Sequence, residues 1–424
     1  MRTAALITGL LLCLAVLVDA FQTIILPRRP VGRLRITRFF YLATWVPWSF
    51  LVRHLPNRKV REQLYSIYGP GSLLLLLVVW AGCLLFGFAL LFFALGSPFA
   101  DTLAPPTHFG HLRTDLYVSG TTLFTLGLGD VVPRTLPTRA FVIVECGTGL
   151  GLVALVIGYV PVLYGAFSRR EISVALLDGR AGSPPTSAEL LRRHAFAGGQ
   201  EALVVLLVEW ERWSAEILES HISYPILCYY RSQHDNQSWL SALTAVLDTC
   251  ALLISIVPGE ASRQAQLTFA VARHALVDLG HVFRLEKMEA RLREHEGAEA
   301  ASSGSVPPDR LPPAHFKQLC ESISEAGLRL CGDPDASARL LALRALYEPN
   351  AQALAAYLAL SLPDWVPEPR AKDQWKLVEL VRSKAAASLT DAANPAVDPA
   401  LASLVEKSAL SSEAAAARLH SEEH

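Results

Sequence analysis

The stretch from Gln63 to Ala100 contains no charged side chain. A helical crossing of a bilayer takes about 20 apolar residues, and Gly71–Leu95 inside this stretch predicts one. Ala4–Leu26 predicts a second, with Asp19 as its only charge, and Ala140–Phe167 a third, with Glu145 as its only charge. The whole chain is 52% hydrophobic and 18% charged, against about 25% charge in ordinary soluble domains. A wholly soluble or a disordered chain is excluded. A fourth stretch, Ile36–Val52, carries Arg38, Pro47 and the rings of Phe39, Phe40, Tyr41, Trp45 and Trp48. Trp and Tyr favour the membrane–water boundary. With cationic flanks at both ends, this stretch reads as a helix lying on the inner face.

Charge sets the orientation. Pro27–Arg61 holds nine basic residues and no acid, Ser97–Leu136 two Arg and three Asp, and Arg169-Arg170 follow the last span. Lys and Arg mark cytoplasmic loops. The N-terminus is therefore expected outside and everything after Ser168 in the cytoplasm, in a multi-pass protein of the cell (inner) membrane. A second reading of the N-terminus is a cleaved signal peptide ending at Ala20. It would put the basic loop outside, and the apolar run continues past that site. Up to Ser168 the chain has 13 Lys/Arg against 6 Asp/Glu; afterwards it has 25 against 33. An acidic second half argues against nucleic acid as a partner. The seven cysteines form no CxxC pair, so neither a disulfide framework nor a zinc pattern is present.

The chemistry lies between the last two spans, in Thr114–Pro133. Thr114 and Asp115 can cap a helix, and the eleven or so residues that follow reach about 16 Å, too short to cross. Then comes Thr125-Leu126-Gly127-Leu128-Gly129-Asp130, and Pro133 is expected to stop further regular structure. Irregular backbone at membrane depth is tolerated only where it is buried in protein or lines a wet cavity. Gly at alternate positions admits positive φ, and alternating handedness turns successive carbonyls to one side. Those carbonyls and the Thr125 hydroxyl can replace the water around a monovalent cation, with the negative end of the preceding helix aimed at it. Asp130 would gather cations at the outer mouth.

This arrangement resembles the potassium-channel pore domain. The match is T-x-G-x-G-D at Thr125, Gly127, Gly129 and Asp130, with Thr121-Thr122 upstream on the pore helix and Val131-Val132-Pro133 downstream. It covers Ser72 to Ser168. The resemblance implies a homotetramer in the lipid bilayer, with K⁺ as the transported ion, no cofactor and no catalysis. The family usually has Tyr or Phe between the two glycines, where this chain has Leu128, which puts strict K⁺ over Na⁺ selectivity in question. The last span reads as the pore-lining helix, with Gly147, Gly149, Gly151, Gly158 and Pro161 as a gating hinge or as close-packing points. Glu145 is expected to brace the pore helix near Thr121 or Thr122. Asp19 is expected to bond Thr23, pair with an Arg of the interfacial helix, or act in gating. Gly127–Asp130 also fits the G-x-G-D string of intramembrane aspartyl proteases, with Asp19 as second acid. Three spans and an outer position for Asp130 argue against that. A membrane signalling or scaffold protein with a non-conducting pore is the other alternative.

The fold class expected is an all-α membrane protein: three transmembrane helices, a re-entrant pore helix with its filter loop, an interfacial helix and a cytoplasmic helical bundle. Residues 1–67 form the N-terminal helix, basic loop and interfacial helix, 68–168 the pore domain, and 169–294 the bundle. A linker at 295–314 leads to a helical region with a mobile tail at 315–424. Bundle helices are predicted at Gly199–His221, Ser238–Val257 and Ala261–Arg293, after a helix capped by Thr186 or Ser187. Others follow at His315–Leu330, Ala336–Tyr347, Asn350–Leu360 and Ala371–Leu389. His274, Asp278 and His281 share a helix face, with His221, His234 and Asp235 as further candidates for a metal. Ordinary polar contacts are the plainer reading. No G-x-G-x-x-G follows the pore, so the nucleotide-sensing domain often attached to such channels is not expected.

Overall fold

The computed structural model describes residues 1–26, 35–101, 111–233, 237–283, 285 and 309–367. Among these, three helices are long and apolar enough to cross a membrane. The first, α1 (Arg2–Ala20), ends in a wider turn at Phe21–Ile25. It packs on α3 (Arg58–Ala94) through small residues that let the backbones approach. A Cβ on Gly9 would stand 2.7 Å from the Gly87 carbonyl, and one on Gly87 would stand 2.6 Å from Cys13 Sγ. Helix α3 is longer than hydropathy predicts and starts at Arg58 rather than Gly71. Its start is set by a cap: Asn57 Oδ1 accepts from the backbone N–H of Lys59 at 3.0 Å and of Val60 at 3.4 Å. Pro70 sits within it.

Between α1 and α3 lies α2 (Ile36–Arg53), the expected interfacial segment. It has two faces. Trp45 and Val52 are buried in the same core as the bundle, whereas Phe39, Val46 and Phe50 are exposed. Trp45 sits among Tyr65, Tyr68 and Tyr229, and its Nε1 donates to the Tyr357 carbonyl at 2.9 Å.

After α3, strand β1 (Phe99–Asp101) leads toward the pore helix α4 (His111–Leu123), and strand β2 (Val131–Pro133) follows the filter segment. The strands pair antiparallel, with Phe99 opposite Pro133 and Asp101 opposite Val131. Pro133 therefore ends a strand instead of forbidding one. Helix α5 (Leu136–Ala181) runs unbroken for 46 residues, past the predicted span end at Phe167. Pro137 fits its first turn, where no amide donor is needed.

The polar half is helical. Helix α6 (Ser187–Arg193) is capped by Thr186, whose Oγ1 accepts from Glu189 N–H at 3.3 Å. Helices α7 (Gly199–Ser223), α8 (Trp239–Ser255) and α9 (Ala261–Phe283) form the bundle, and α10 (Pro313–Glu325), α11 (Ala336–Ala345) and α12 (Glu348–Leu358) close over it. Trp210, Trp213 and Ile217 of α7 are buried, as their spacing predicts. Every residue of α8 except Ile254 is buried. Its span-like composition reflects a place at the centre of the bundle.

Residues 309–367 belong to the same core. Asp248 of α8 is fully buried and accepts from Arg310 Nη2 at 2.6 Å, from Arg310 Nη1 at 3.2 Å and from Tyr347 Oη. Arg310 also donates to Glu348 Oε1 at 3.0 Å and to the Pro363 carbonyl at 2.7 Å. Arg310 and Leu311 are thus structural parts of the bundle, where the sequence places a linker. Of that linker, residues 295–308 lie outside the described residues, as do His234, Asp235, the helix expected at Ala371–Leu389 and the tail.

Candidate functional site

Helix α4 is 13 residues long, about 20 Å at 1.5 Å per residue, too short to cross a bilayer. It begins at His111, one turn before the expected cap. Asp115 therefore lies inside the helix, where its Oδ2 accepts from Ser97 Oγ at 2.7 Å. This bond ties the start of the pore helix to the end of α3.

The chain leaves α4 by turning its amide donors back. The N–H groups of Leu126 and Gly127 both point to the Thr121 carbonyl, at 2.7 and 3.3 Å, and Thr125 N–H donates to the Thr122 carbonyl at 3.0 Å. From there handedness alternates: φ is +57° at Thr125, +54° at Gly127 and +77° at Gly129. A Cβ on Gly127 or Gly129 would meet no atom within 4 Å. The left-handed φ, and not crowding, is what calls for glycine. Thr125 holds such a φ with a β-branched side chain, which marks a strained position. The whole segment from Phe124 to Gly129 is exposed on the single chain. Leu126 and Leu128 are 63% and 64% exposed.

The segment is held from both sides. At its C-terminal end Asp130 Oδ2 accepts from Tyr117 Oη at 2.6 Å, and Asp130 Oδ1 accepts from Val131 N–H at 3.0 Å. At its N-terminal end the backbone of Leu123 lies against α5 at Gly149. A Cβ on Gly149 would stand 2.0 Å from the Leu123 carbonyl oxygen. Gly147, Gly151 and Gly158 have nothing within 4 Å of such a Cβ, and α5 is continuous through all four glycines and Pro161. Gly149 is thus a close-contact point in this conformation.

Glu145 does brace the pore helix, but through Ser119 rather than Thr121 or Thr122. Ser119 Oγ bonds Glu145 Oε1 and the Leu85 carbonyl, the latter at 2.8 Å, joining α3, α4 and α5 at one buried point. Thr121 instead donates its hydroxyl to the Val118 carbonyl at 3.0 Å. Asp19 pairs with an Arg at the start of the interfacial helix, one of its expected roles. Its Oδ2 accepts from Thr37 N–H at 3.0 Å, from Thr37 Oγ1 at 2.5 Å and from Trp80 Nε1 at 3.0 Å, and Arg35 Nε lies 3.7 Å from Oδ1. The carboxylate of α1 thereby caps the N-terminus of α2, where the helix dipole favours negative charge. Thr23, the other partner expected, bonds Thr37 and Arg35. Asp19 and Asp130 are held by different partners.

One coupling residue was missed by sequence reasoning. Arg170, just beyond the last apolar stretch, is buried. It donates to the Leu227 carbonyl and the Tyr230 carbonyl, each at 2.9 Å, and Nη1 lies 3.2 Å from His221 Nε2. The Arg169-Arg170 pair reads as an ordinary membrane flank, and nothing in the sequence sets Arg170 apart. His221 is buried, and both its burial and the neighbouring Arg170 push its pKa well below the ordinary value. His274 and His281 approach Asp278 at 3.4 and 3.8 Å on an exposed face. No group of three metal-binding side chains assembles among the described residues.

Residues 78–163 match the Ion_trans_2 family of ion channels. The match starts within α3 and ends within α5, so it takes in the pore helix and the filter segment. This segment is therefore similar to ion channels, in a mainly helical chain with three helices long and apolar enough to cross a membrane. The chain is also 26% identical, over 347 residues, to the uncharacterized membrane protein YdjJ of Bacillus subtilis (strain 168). That similarity covers 80% of this chain and 95% of YdjJ, so it extends well beyond the channel segment into the bundle. No solved structure matches the chain.

Proposed function

We propose that this chain is one subunit of a homotetrameric potassium channel, with Thr125–Asp130 as its selectivity filter. The observation that carries the proposal is the left-handed φ at Thr125, Gly127 and Gly129, in an exposed strand at the C-terminal end of a short helix. Alternating handedness directs carbonyls to one side, and exposed backbone carbonyls cannot face lipid. Four copies around a common axis satisfy both conditions: the carbonyls meet permeant cations instead of acyl chains. The negative end of α4 adds to the attraction, and Asp130 holds the outer mouth. Flux is passive, and α5 lines the pore.

The basic segment before α3 and Arg169-Arg170 after α5 support a cytoplasmic bundle and an outer filter, in the inner membrane. The two-faced α2 then lies along the inner surface.

The test is ion flux through the purified full-length protein in liposomes, with K⁺ and Na⁺ gradients imposed separately. K⁺ flux above Na⁺ flux, lost in Gly127→Ala because alanine resists φ +54°, is the expected result. Equal fluxes would keep the channel and remove its selectivity, with Leu128 as the cause. No flux from folded tetramer would favour the non-conducting signalling or scaffold protein.

A further inference from the structure

Glu145 is fully buried, within the third of the long apolar helices. Ser119 Oγ lies within hydrogen-bond distance of two oxygens, Glu145 Oε1 and the Leu85 carbonyl, the latter at 2.8 Å. A serine hydroxyl has one hydrogen to give, and a carbonyl has none. Two bonds through one hydroxyl therefore need a second hydrogen, and only the carboxyl group can supply it. Ser119 donates to Leu85, and Glu145 donates to Ser119. The other carboxyl oxygen gives the same answer. Oε2 is buried and makes no hydrogen bond. Among the described residues Ser119 is the only hydrogen-bond or ion-pair partner of Glu145. An ionised carboxylate offers about four acceptor sites, and a buried charge without partners is costly. A neutral acid leaves only one carbonyl oxygen unmet.

The surroundings supply no counter-charge. From α1, the buried Cys13 thiol is close enough to interact electrostatically with Glu145. Helix α3 has no charged side chain from Gln63 onward, and its Cys83 is half-buried. On α4, Asp115 lies one turn before Ser119 and bonds Ser97. Arg113 and Tyr117 are exposed, on the other side of that helix. On α5 itself Cys146 is half-buried and Arg139 exposed. The position of the proton is what gives it weight. Ser119 and Leu123 are one turn apart on α4, and Glu145 and Gly149 are one turn apart on α5, so the two helices meet at two rungs. The first rung carries the proton, and the second lies two residues before Thr125.

We propose that Glu145 keeps its proton and donates it to Ser119, and that this neutral acid is the positioning residue that holds α4 between α3 and α5. Loss of the proton to hydroxide undoes the link. An ionised Glu145 takes the Ser119 hydrogen for itself, since bonds to charged acceptors are the stronger ones. The Leu85 carbonyl then faces an oxygen with no hydrogen between them, and the α3–α4 contact opens just ahead of the segment that begins at Thr125. Alkaline pH therefore weakens flux. Only this last step rests on the channel reading above; the proton assignment does not.

The test is infrared difference spectroscopy of the full-length protein in liposomes, wild type minus Glu145→Gln, at neutral pH. The carbonyl band of a protonated carboxylic acid, with no carboxylate band, is expected. That band should move to higher frequency in Ser119→Ala, where the acid loses its acceptor, and should vanish from the wild type at alkaline pH. A carboxylate band in place of the acid band, or an acid band indifferent to Ser119→Ala, would overturn the proposal. These last two measurements keep Glu145, so they decide the matter even where Glu145→Gln does not fold. K⁺ flux in liposomes should fall at least fivefold at alkaline pH in the wild type. Glu145→Gln, whose amide N–H replaces the acid as donor, should keep at least half of the neutral-pH flux and lose the pH dependence. Glu145→Ala should keep less than a tenth. Flux that falls equally with pH in wild type and Glu145→Gln would refute the link between this proton and the pore. An acid band with no flux in any variant would retain the assignment and refute the channel. Flux with a carboxylate band would do the reverse.

Discussion

Gly149→Ala is the sharpest perturbation of the filter's support. The added methyl would sit 2.0 Å from the Leu123 carbonyl oxygen, 2.9 Å from its carbon and 3.2 Å from its Cα. All three atoms are backbone, so no rotamer change relieves the clash. Real Cβ contacts lie beyond 3.0 Å, which means α4 and α5 must separate by at least about 1 Å. Overpacking of a closely fitted contact costs about 1–3 kcal/mol. The displaced residue lies two positions before Thr125, so the shift falls on the filter as well as on stability. In liposomes K⁺ flux should fall at least tenfold, with a lower melting temperature in detergent. Gly147→Ala and Gly151→Ala meet nothing within 4 Å on their own chain and should stay within about 1 kcal/mol of wild type. A Gly149→Ala protein with wild-type flux and melting temperature would refute the close-contact reading. Flux lost equally in all three variants would favour a bending role instead.

Two further outcomes follow from buried charge. Asp248→Asn leaves Arg310 buried without its main counter-charge and should destabilise the bundle by about 3–5 kcal/mol in denaturant unfolding. Lys317→Ala, which removes only the exposed pair with Glu321 at 3.8 Å, should change it by less than about 0.5 kcal/mol. His221 should make stability pH-dependent. Its pKa is depressed in the fold, so the unfolded chain binds a proton that the native one refuses. Stability is then complete above the ordinary histidine value of about 6.5 and falls as pH drops below it, by up to about 1.4 kcal/mol per pH unit. The slope should vanish in a folded His221→Gln protein; a wild-type stability flat from pH 7 to 5 would contradict the assignment.

The parts most legible in the sequence were those fixed by one strong physical demand. Long apolar runs have few options, and all three long runs lie in the three long apolar helices. Gly127 and Gly129 sit at positive φ because alternate handedness requires it, and the residue types said so. Less visible features depended on weaker local signals. The start of α3 is decided by the Asn57 cap, which hydropathy ignores. Glu145 finds Ser119, not Thr121, because of how α4 packs between α3 and α5, which no local pattern encodes. The β1–β2 pair has three residues a side, too few for an alternating pattern. The placement of 309–367 rests on Arg310 reaching Asp248 across 62 positions, and no local pattern encodes such a pair. The roles of the filter, hinge glycines and Asp130 in conduction await the flux experiments.

The 46 unbroken residues of α5 make a shaft about 69 Å long. Arg170 pins this shaft to the bundle, and Gly149 touches the base of the filter segment. Arg170 and Gly149 are 21 positions apart, about 31 Å of helix. A tilt of only about 5° about the Arg170 end moves Gly149 by about 2.7 Å over that arm. That displacement is larger than the whole gap a methyl would have at the Leu123 carbonyl. The bundle thus holds the short end of a lever whose long arm reaches the turn after α4, with no flexible joint needed in between.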